Sequence, residues 1–200
     1  AKMGQYFDND PTLPHQSIIQ RFALLGEEYS LESDRGVFSK EGLDDGTKLL
    51  LETIAKTHLG REILDLGCGI GTIGLILAHI DPSRRLTLAD VNTRALELAG
   101  RNAERLGVKE RVEILESDVY TNINKTYDTI VTNPPIRAGK KVTYAMYAGA
   151  VSHLNEDGRL ILVIRKKQGA DSAEEYLRTL YASVEKVASK KGYRVLIARK

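Results

Sequence analysis

Short apolar runs alternate with longer amphipathic stretches from residue 61 to the end of the chain. The apolar runs are rich in Ile, Val and Leu, as strands buried on both faces of a parallel sheet are. The amphipathic stretches have the length and spacing of helices that pack one face against a core. Because this alternation is typical of βαβ units, the pattern predicts an α/β fold with helices on both faces of the sheet.

Seven strands and four helices are predicted in this region. The strands are predicted at residues 62–66, 85–90, 112–116, 129–132, 159–165, 184–189 and 193–197. The helices are predicted at residues 72–79, 93–106, 141–154 and 172–181. Only Lys190, Lys191 and Gly192 separate the last two strands. That connection is too short for a crossover helix, so we expect an antiparallel hairpin at the edge of the sheet.

The N-terminal part of the chain has a different pattern. Two β-like runs, 18–25 and 28–32, flank Gly26, and a loop and a helix at about residues 47–57 follow them. We predict an N-terminal extension at residues 1–46, made of a strand pair and a loop that covers the binding site, attached to the main domain at residues 47–200.

The composition excludes several classes of protein. No run approaches the roughly 20 apolar residues that a membrane helix needs, and no charged-then-apolar leader opens the sequence, so we expect a cytoplasmic protein with no membrane partner. The single cysteine, Cys68, cannot form an internal disulfide, and the four histidines lack metal-ligand spacing, so no metal site is expected. Lys plus Arg outnumber Asp plus Glu by only 29 to 27, so affinity for a polyanion requires a local basic patch.

A glycine-rich turn follows the first predicted strand of the main domain. In ILDLGCGIGTIG, residues 63–74, the glycines Gly67, Gly69 and Gly71 permit positive backbone angles and allow a ligand to lie against the main chain at a helix start. The turn therefore predicts a nucleotide-like ligand. On its own it also fits the dinucleotide pattern, with Asp90 about 20 residues beyond the glycines for the ribose.

Three carboxylates at strand ends distinguish between these ligands. Asp65 precedes the glycines, where it would repel a pyrophosphate but attract a cationic amino-acid group. Asp90 ends the second strand and can accept both ribose hydroxyls, and Asp118 follows the third strand and can accept from an adenine amine. Ligands of open α/β sheets bind at such strand ends. Together these residues predict S-adenosylmethionine as the cofactor, with S-adenosylhomocysteine as its product.

Two prolines follow the fourth strand, in TNPPIRAGK, residues 132–140. The carboxamide oxygen of Asn133 and the carbonyl of Pro134 can accept both N–H bonds of a planar amine and so direct its lone pair. Proline fixes its own backbone angle and donates no N–H, which holds these acceptors in place. The motif therefore predicts methylation of an amine. A cytosine-C5 methyltransferase is excluded, because the required cysteine nucleophile is missing here.

With these motifs, residues 60–200 resemble the class I S-adenosylmethionine-dependent methyltransferases. The resemblance implies a Rossmann-like seven-stranded sheet of order 3-2-1-4-5-7-6 with an antiparallel last strand. GVFSKEGLDDGTKLLL, residues 36–51, together with NPPIRAGK, is similar to the RsmC-type 16S ribosomal RNA guanine-N2 methyltransferases, especially their short single-domain members. By this resemblance Phe38 and the turn of Asp45, Gly46 and Thr47 would surround the methionine end of the cofactor. Thr47 is also a plausible helix N-cap.

The prediction divides the site into three sets. The catalytic set is Asn133, Pro134, Pro135 and Ile136. The cofactor-binding set is Phe38, Asp45, Gly46, Thr47, Asp65, Gly67, Cys68, Gly69, Gly71, Asp90, Val91, Asn92, Asp118 and Val119. The substrate-binding set is Arg137, Lys140, Lys141, Tyr144, Arg165, Lys166 and Lys167. The six cations of this last set follow the fourth and fifth strands, so we expect them to form one basic rim that suits phosphates.

The resemblance implies a methyltransferase for the N2 amine of guanine in 16S ribosomal RNA, with ribosomal RNA or the small subunit as partner. A monomeric state is favoured. Ile136 occupies a position that carries an aromatic residue in many amino-methylating enzymes, which weakens an adenine-N6 assignment. Adenine N6, a protein glutamine amide or a small-molecule amine remain alternative acceptors. A non-catalytic RNA-binding assembly factor that retains the cofactor pocket is a further alternative.

Overall fold

The structure of the protein is a computed structural model that describes residues 17–34 and 43–200. Its strands in chain order are β1 (Ser17–Leu24), β2 (Glu27–Asp34), β3 (Glu62–Leu66), β4 (Arg85–Asp90), β5 (Val112–Glu116), β6 (Tyr127–Thr132), β7 (Leu154–Arg165), β8 (Ser183–Lys190) and β9 (Tyr193–Arg199). Its α-helices are α1 (Asp45–Ile54), α2 (Thr72–Ile80), α3 (Thr93–Arg105), α4 (Lys140–Gly149) and α5 (Ala170–Leu180).

The main sheet has seven strands in the order β5-β4-β3-β6-β7-β9-β8. The pairs from β5 to β7 are parallel, whereas β9 runs antiparallel to both β7 and β8. Counted from β3, this order is 3-2-1-4-5-7-6, so the predicted topology and its reversed last strand are confirmed. β1 and β2 form a separate antiparallel pair, as the N-terminal pattern predicts.

The core lies on both faces of this sheet because β3 is buried on both sides. Ile63 joins a cluster that also contains apolar residues of α1, α2 and α3, whereas Leu64 and Leu66 join a second cluster with residues of α4 and α5. Alternate residues of a strand point to opposite faces, so this division follows from the pleat. Three helices therefore cover one face and two cover the other.

One predicted helix ends earlier than its pattern suggested. The helix predicted at 141–154 ends at Gly149, a 3₁₀ turn occupies Ala150–His153, and strand β7 begins at Leu154. Leu154 is 1% exposed and pairs with Tyr127 of β6, so burial in the sheet outweighs continuation of the helix. The prediction was wrong at this end because an apolar residue alone does not distinguish the last helical turn from the first strand position.

The β1–β2 pair packs against helix α3. Asn102, which is fully buried, accepts a hydrogen bond from the Glu32 N–H at 2.6 Å and donates to the Glu32 carbonyl at 3.0 Å. The same amide donates to the carbonyl of Ile70 in the glycine loop at 3.0 Å. Leu31, Ile70 and Leu98 form a small apolar cluster at this junction. The strand pair is thus attached directly to the glycine loop.

Two further observations concern the described residues taken together. Across residues 17–34 and 43–200, no helix combines the length and apolarity needed to cross a membrane. Within the same ranges, no group of three or more His, Cys, Asp or Glu side chains is arranged to hold a metal ion. The predicted division between residues 46 and 47 lies in the first turn of α1 and stays a prediction.

Candidate active site

The candidate site lies at the carboxyl ends of the parallel strands. The carboxyl ends of β3, β4, β5 and β6 are neighbours there, so the loops that follow these four strands are brought together. The predicted glycine loop, the Asp90 and Asp118 turns and the Asn-Pro-Pro segment all belong to these loops. The start of α1 joins them through a hydrogen bond to Asn133.

The glycine loop is held tightly on one side and open on the other. The N–H groups of Gly67 and Cys68 both donate to the carbonyl of Ala89 in β4, at 2.8 and 2.9 Å. Gly67, Gly69 and Gly71 have φ angles of 73°, 56° and 94°, which residues with a side chain rarely adopt. A Cβ added at Gly69 would meet no heavy atom within 4 Å. The backbone of Gly69 therefore faces space in which a ligand can lie.

Asp65 lies beneath this loop, where it is 1% exposed. Its carboxylate accepts from the N–H of Gly74 at 2.8 Å, which satisfies a free donor at the start of α2. Burial, with a smaller contribution from Asp90, raises the pKa of Asp65 to about 7. Gly74 packs closely here, since an added Cβ would lie 2.3 Å from the end of the Leu88 side chain and 3.0 Å from the Asp65 carboxylate. The site thus contains a buried carboxylate that changes charge near neutral pH.

Asp90 connects the glycine loop to helix α3. One carboxylate oxygen accepts from the Gly69 N–H at 2.8 Å, and the other accepts from the Asn92 N–H at 2.9 Å. Asn92 in turn caps α3 by accepting from the Ala95 N–H at 3.1 Å. Both oxygens of Asp90 retain lone pairs for ribose hydroxyls. Val91, beside it, is 50% exposed, an apolar surface that fits the face of a purine.

Asp118 and Val119 form the turn after β5. The carboxylate of Asp118 belongs to an exposed residue, and its backbone N–H donates to the Thr121 hydroxyl at 3.0 Å. Val119 has a φ angle of 55°, and its carbonyl accepts from the buried Ser117 hydroxyl at 2.9 Å. The Ser117 N–H donates to the Asp90 carbonyl at 3.0 Å, which places this turn next to the Asp90 loop.

Cys68 is part of the loop structure and not a nucleophile. Its side chain is buried, and this burial, followed by the charges of Asp65 and Asp90, raises the pKa of the thiol well above its usual value. A thiol reacts as the thiolate, so this environment keeps it inert at neutral pH.

Asn133 is held by helix α1. Its side-chain nitrogen donates to the hydroxyl of Thr47 at 3.1 Å, and that hydroxyl donates to the carboxylate of Asp44 at 2.8 Å. Asp44 also caps α1 by accepting from the N–H groups of Gly46 and Thr47. Asp44, and not Thr47, is therefore the N-cap. The sequence analysis missed Asp44, although an aspartate just before a helix start is a recognised N-cap signal.

The two prolines differ in exposure. Pro134 is buried and Pro135 is exposed. The carbonyl of Pro135 accepts from the Ala138 N–H at 2.9 Å and closes a 3₁₀ turn at Ile136–Ala138. Ile136 packs against the second core cluster and is half-buried, so part of its side chain reaches solvent at this edge.

The predicted substrate residues lie on adjacent strand ends. Most of their cations are exposed, and these are Arg137, Lys140, Lys141, Lys166 and Lys167. Arg165 is half-buried, with its guanidinium 5.4 Å from the ring centroid of Tyr193. Tyr144 stacks on Tyr176 with centroids 4.2 Å apart, so one face of its ring is already occupied.

The hairpin turn of β8 and β9 adds two cations that the sequence analysis missed. The Lys166 N–H donates to the Gly192 carbonyl at 2.8 Å, which brings the turn against the basic rim. Lys190 and Lys191 are exposed there, and Lys191 lies 3.6 Å from the carboxylate of Asp45. These two lysines could have been found from the predicted strand order. Because β9 pairs antiparallel with β7, the turn before β9 lies next to the residues that follow β7. Phe38, which was predicted to contact the cofactor, lies outside the described residues.

Similarity to known proteins extends over most of the chain. The family model of the methyltransferase small domain matches residues 28–197. The uncharacterized protein YbxB of Bacillus subtilis (strain 168) is 42% identical, with 98% of each chain covered. The ribosomal RNA small subunit methyltransferase C of Escherichia coli (strain K12) is 37% identical over 81% of this chain and 48% of its own length.

A solved structure has the same fold. The 16S rRNA N2 G1207 methyltransferase (RsmC) of T. thermophilus, in complex with AdoMet and guanosine, superposes with a TM-score of 0.82 at 27% identity. The match covers 95% of this chain and 52% of that one, so the present chain spans about half the length of its RsmC relatives. The fold and the family inferred from the glycine loop, the strand-end carboxylates and the Asn-Pro-Pro motif are confirmed: the chain belongs to the methyltransferase small domain family.

Proposed function

We propose that this chain is an S-adenosylmethionine-dependent methyltransferase for the N2 amine of guanine in 16S ribosomal RNA. The observation that carries the proposal is the arrangement of Asn133. Its side-chain nitrogen is engaged by Thr47, so its carbonyl oxygen is the atom that remains to accept from a substrate amine. The names of the RsmC relatives support ribosomal RNA as the substrate.

The residues of the glycine loop and the next two strand ends fit the cofactor. Bound S-adenosylmethionine supplies an electrophilic methyl group and leaves as S-adenosylhomocysteine. Asp90 offers acceptors for the ribose, Val91 offers an apolar surface for the adenine, and Gly69 leaves open space beside its backbone. Asp65 is the buried carboxylate that would attract a cationic amino-acid group through the loop.

The acceptor side of the site holds an amine in one orientation. The lone pair of an exocyclic base amine is delocalised into the ring, so the amine is a poor nucleophile until it is turned and held. Asn133 and the carbonyl of Pro134 would accept its two N–H bonds, which directs the nitrogen lone pair to the methyl group. The new C–N bond would form as the bond between the methyl group and the sulfur breaks, and the methylated nitrogen would then release one proton to water. These residues need no covalent intermediate.

The basic rim supports a nucleic-acid substrate. Its exposed lysines follow β6, the strand that precedes Asn133, and the neighbouring strand β7. The hairpin turn, which is bonded to Lys166, extends the same surface with Lys190. A target guanine must leave its stack to reach a pocket at a sheet edge, which is easiest in a loop or a partly unfolded segment of RNA.

The experiment that tests the function is transfer of labelled methyl from S-adenosylmethionine to unmodified small ribosomal subunits and to their extracted RNA, with nucleoside analysis. We expect label in N2-methylguanine. Label in N6-methyladenine would replace the acceptor but keep the chemistry. Label in protein alone would point to a glutamine amide. Cofactor binding without transfer to RNA or protein would leave a small-molecule amine acceptor or a non-catalytic assembly factor.

We expect the affinity for S-adenosylmethionine to depend on pH through Asp65. The pKa of this carboxyl is about 7 in the protein alone. A cationic ligand favours the ionised form, so binding releases a proton, and the affinity rises with pH by up to about tenfold per unit below pH 7. Calorimetry from about pH 5.5 to about 8, in buffers of different ionisation enthalpy, measures the affinity at each pH and the number of protons released on binding.

Asp65→Asn is the matched variant for this measurement, since its amide oxygen can still accept from Gly74. It should bind the cofactor more weakly and show only the titration of the ligand itself. An identical pH profile in both proteins would contradict the prediction, because it would show that cofactor binding does not change the protonation of Asp65.

We expect the basic rim to determine affinity for RNA. Reversing Lys166, Lys167 and Lys190 together to glutamate should raise KM for RNA about tenfold at low salt and flatten its salt dependence, because each lost phosphate contact lowers the salt slope by about 0.7 for a single strand. The affinity for S-adenosylmethionine should not change.

A second triple variant controls for net charge. Its positions are Lys56, Lys109 and Lys125. All three are exposed and precede parallel strands, so they lie at the amino ends of the strands, opposite the candidate site. Reversal of this set should leave KM for RNA within a factor of about two. Equal effects of the two sets would show that the rim does not contact the substrate.

A further inference from the structure

We propose that Asp44 and Thr47 are positioning residues that determine which way the carboxamide of Asn133 faces. The inference rests on the proposed role of Asn133 and concerns how its orientation is fixed. An asparagine side chain can turn over and exchange its oxygen and its nitrogen with little change in shape. Only its hydrogen-bond partners decide which atom points to the substrate.

The direction of each hydrogen bond in this chain of residues follows from chemistry. The ionised carboxylate of Asp44 can only accept, so the hydroxyl of Thr47 must donate its single proton to it, over 2.8 Å. The Thr47 oxygen is then left with lone pairs and can only accept from Asn133. It therefore selects the NH₂ group of Asn133, over 3.1 Å, and leaves the carbonyl oxygen for the substrate.

Asp44 is itself held firmly, which makes it a suitable reference point. The carboxylate oxygen that does not bind the Thr47 hydroxyl accepts from the N–H groups of Gly46 and Thr47, at 2.9 and 3.1 Å. The ring of Tyr193 packs so closely on Gly46 that an added Cβ would lie 2.7 Å from it. The start of α1 is therefore fixed against β9, and the orientation of Asn133 is set from a distant part of the sequence.

The test uses variants that change hydrogen-bond direction without removing the cap. Asp44→Asn keeps a good N-cap, but its NH₂ group can donate to Thr47, which frees the Thr47 proton for the Asn133 oxygen. The chain would then run in reverse and turn the NH₂ group of Asn133 toward the substrate. Thr47→Val removes the connection. Thr53→Val on the same helix is the control, because the Thr53 hydroxyl donates to the Leu49 carbonyl within α1.

For methyl transfer to the RNA, we expect kcat to fall about tenfold in Thr47→Val, because the loss of one hydrogen bond has an effect of about this size. The fall should be larger in Asp44→Asn. Because Thr47 is also predicted to lie near the methionine end of the cofactor, kcat is measured at saturating S-adenosylmethionine. Under that condition KM for the RNA and the melting temperature should stay near those of the wild type, and Thr53→Val should match the wild type throughout. A kcat within twofold of the wild type in both variants would overturn the proposal. So would a parallel loss of kcat, cofactor affinity and melting temperature, which indicates a structural role alone.

A second readout separates this inference from the proposed function. The side-chain amide signals of Asn133 in a ¹⁵N NMR spectrum are identified by their loss in Asn133→Ala. We expect them to shift in Thr47→Val and Asp44→Asn, but not in Thr53→Val, whatever the methyl acceptor is. Unshifted signals would overturn the relay, whereas shifted signals with no transfer to ribosomal RNA by the wild type would overturn only the assigned substrate.

Discussion

Replacing Asn133 by alanine is expected to lower kcat for methyl transfer by about 10²–10³-fold, the usual loss when one preorganised polar group of an active site is removed. The carboxamide is the side chain that the site offers to the acceptor amine. Its nitrogen is engaged by Thr47, so its oxygen is placed without further reorganisation when the substrate arrives. Without that oxygen the amine keeps its N–H bonds to water, and its lone pair is not directed to the methyl group.

Single-turnover transfer of labelled methyl at saturating cofactor measures this loss directly. The affinity for S-adenosylmethionine should be unchanged, since Asn133 follows β6 whereas the proposed cofactor contacts come mainly from the loops after β3, β4 and β5. Asn155→Ala is the control, because Asn155 donates to Asp128 near the opposite edge of the sheet. A kcat for Asn133→Ala equal to that of Asn155→Ala would refute the assigned role.

Replacing Gly69 by alanine is expected to weaken S-adenosylmethionine binding by about 10–100-fold, the equivalent of forcing one methyl group into a filled site. The added Cβ meets no protein atom within 4 Å, so the substitution does not clash with the fold itself. The space it enters is the space beside the loop that the proposal assigns to the cofactor. The effect should therefore appear in the affinity and much less in the packing.

Gly107→Ala separates this steric effect from backbone strain. Gly107 has a φ angle of 69° and also has no neighbour within 4 Å of an added Cβ, but it lies after α3, away from the glycine loop. Both variants should lose about 1 kcal/mol of unfolding free energy in urea melts, since both place a side chain in the left-handed region. Only Gly69→Ala should lose affinity in calorimetry; equal affinities would place the cofactor elsewhere.

Local patterns predicted the sheet because its central strands are buried on both faces. The bounds of β3, β4 and β5 agree with the predicted runs, because segments of only five or six residues that are rich in Ile and Leu are too short for helices and stand between longer helical patterns. The reversed last strand also followed from a local fact, the three-residue connection before Tyr193. Leu154 shows the limit, because its place in β7 depends on pairing with Tyr127 and not on its own neighbours.

Asp44 had a local N-cap signal, but the other parts of the site that escaped prediction depend on contacts between distant segments. Thr47 and Asn133 are 86 positions apart, so no spacing rule connects them. Lys190 joins the basic rim only because β9 pairs with β7. The stacking of Tyr144 on Tyr176 joins α4 to α5 and likewise has no local signature. The motifs predicted the types of residue that the chemistry needs, whereas the orientation of these residues could be seen only in the structure.

The bonding of Asn102 changes how the N-terminal strand pair should be regarded. One amide group serves the backbone of β2 on one side and the carbonyl of Ile70 on the other. If the strand pair were cut away, this amide would keep a buried oxygen with no donor in place of Glu32, and the apolar cluster under Ile70 would open to water. In an engineered fusion or a minimal enzyme, a cut at the start of α1 would therefore remove a support of the glycine loop, so the β1–β2 pair has to be kept with the main domain.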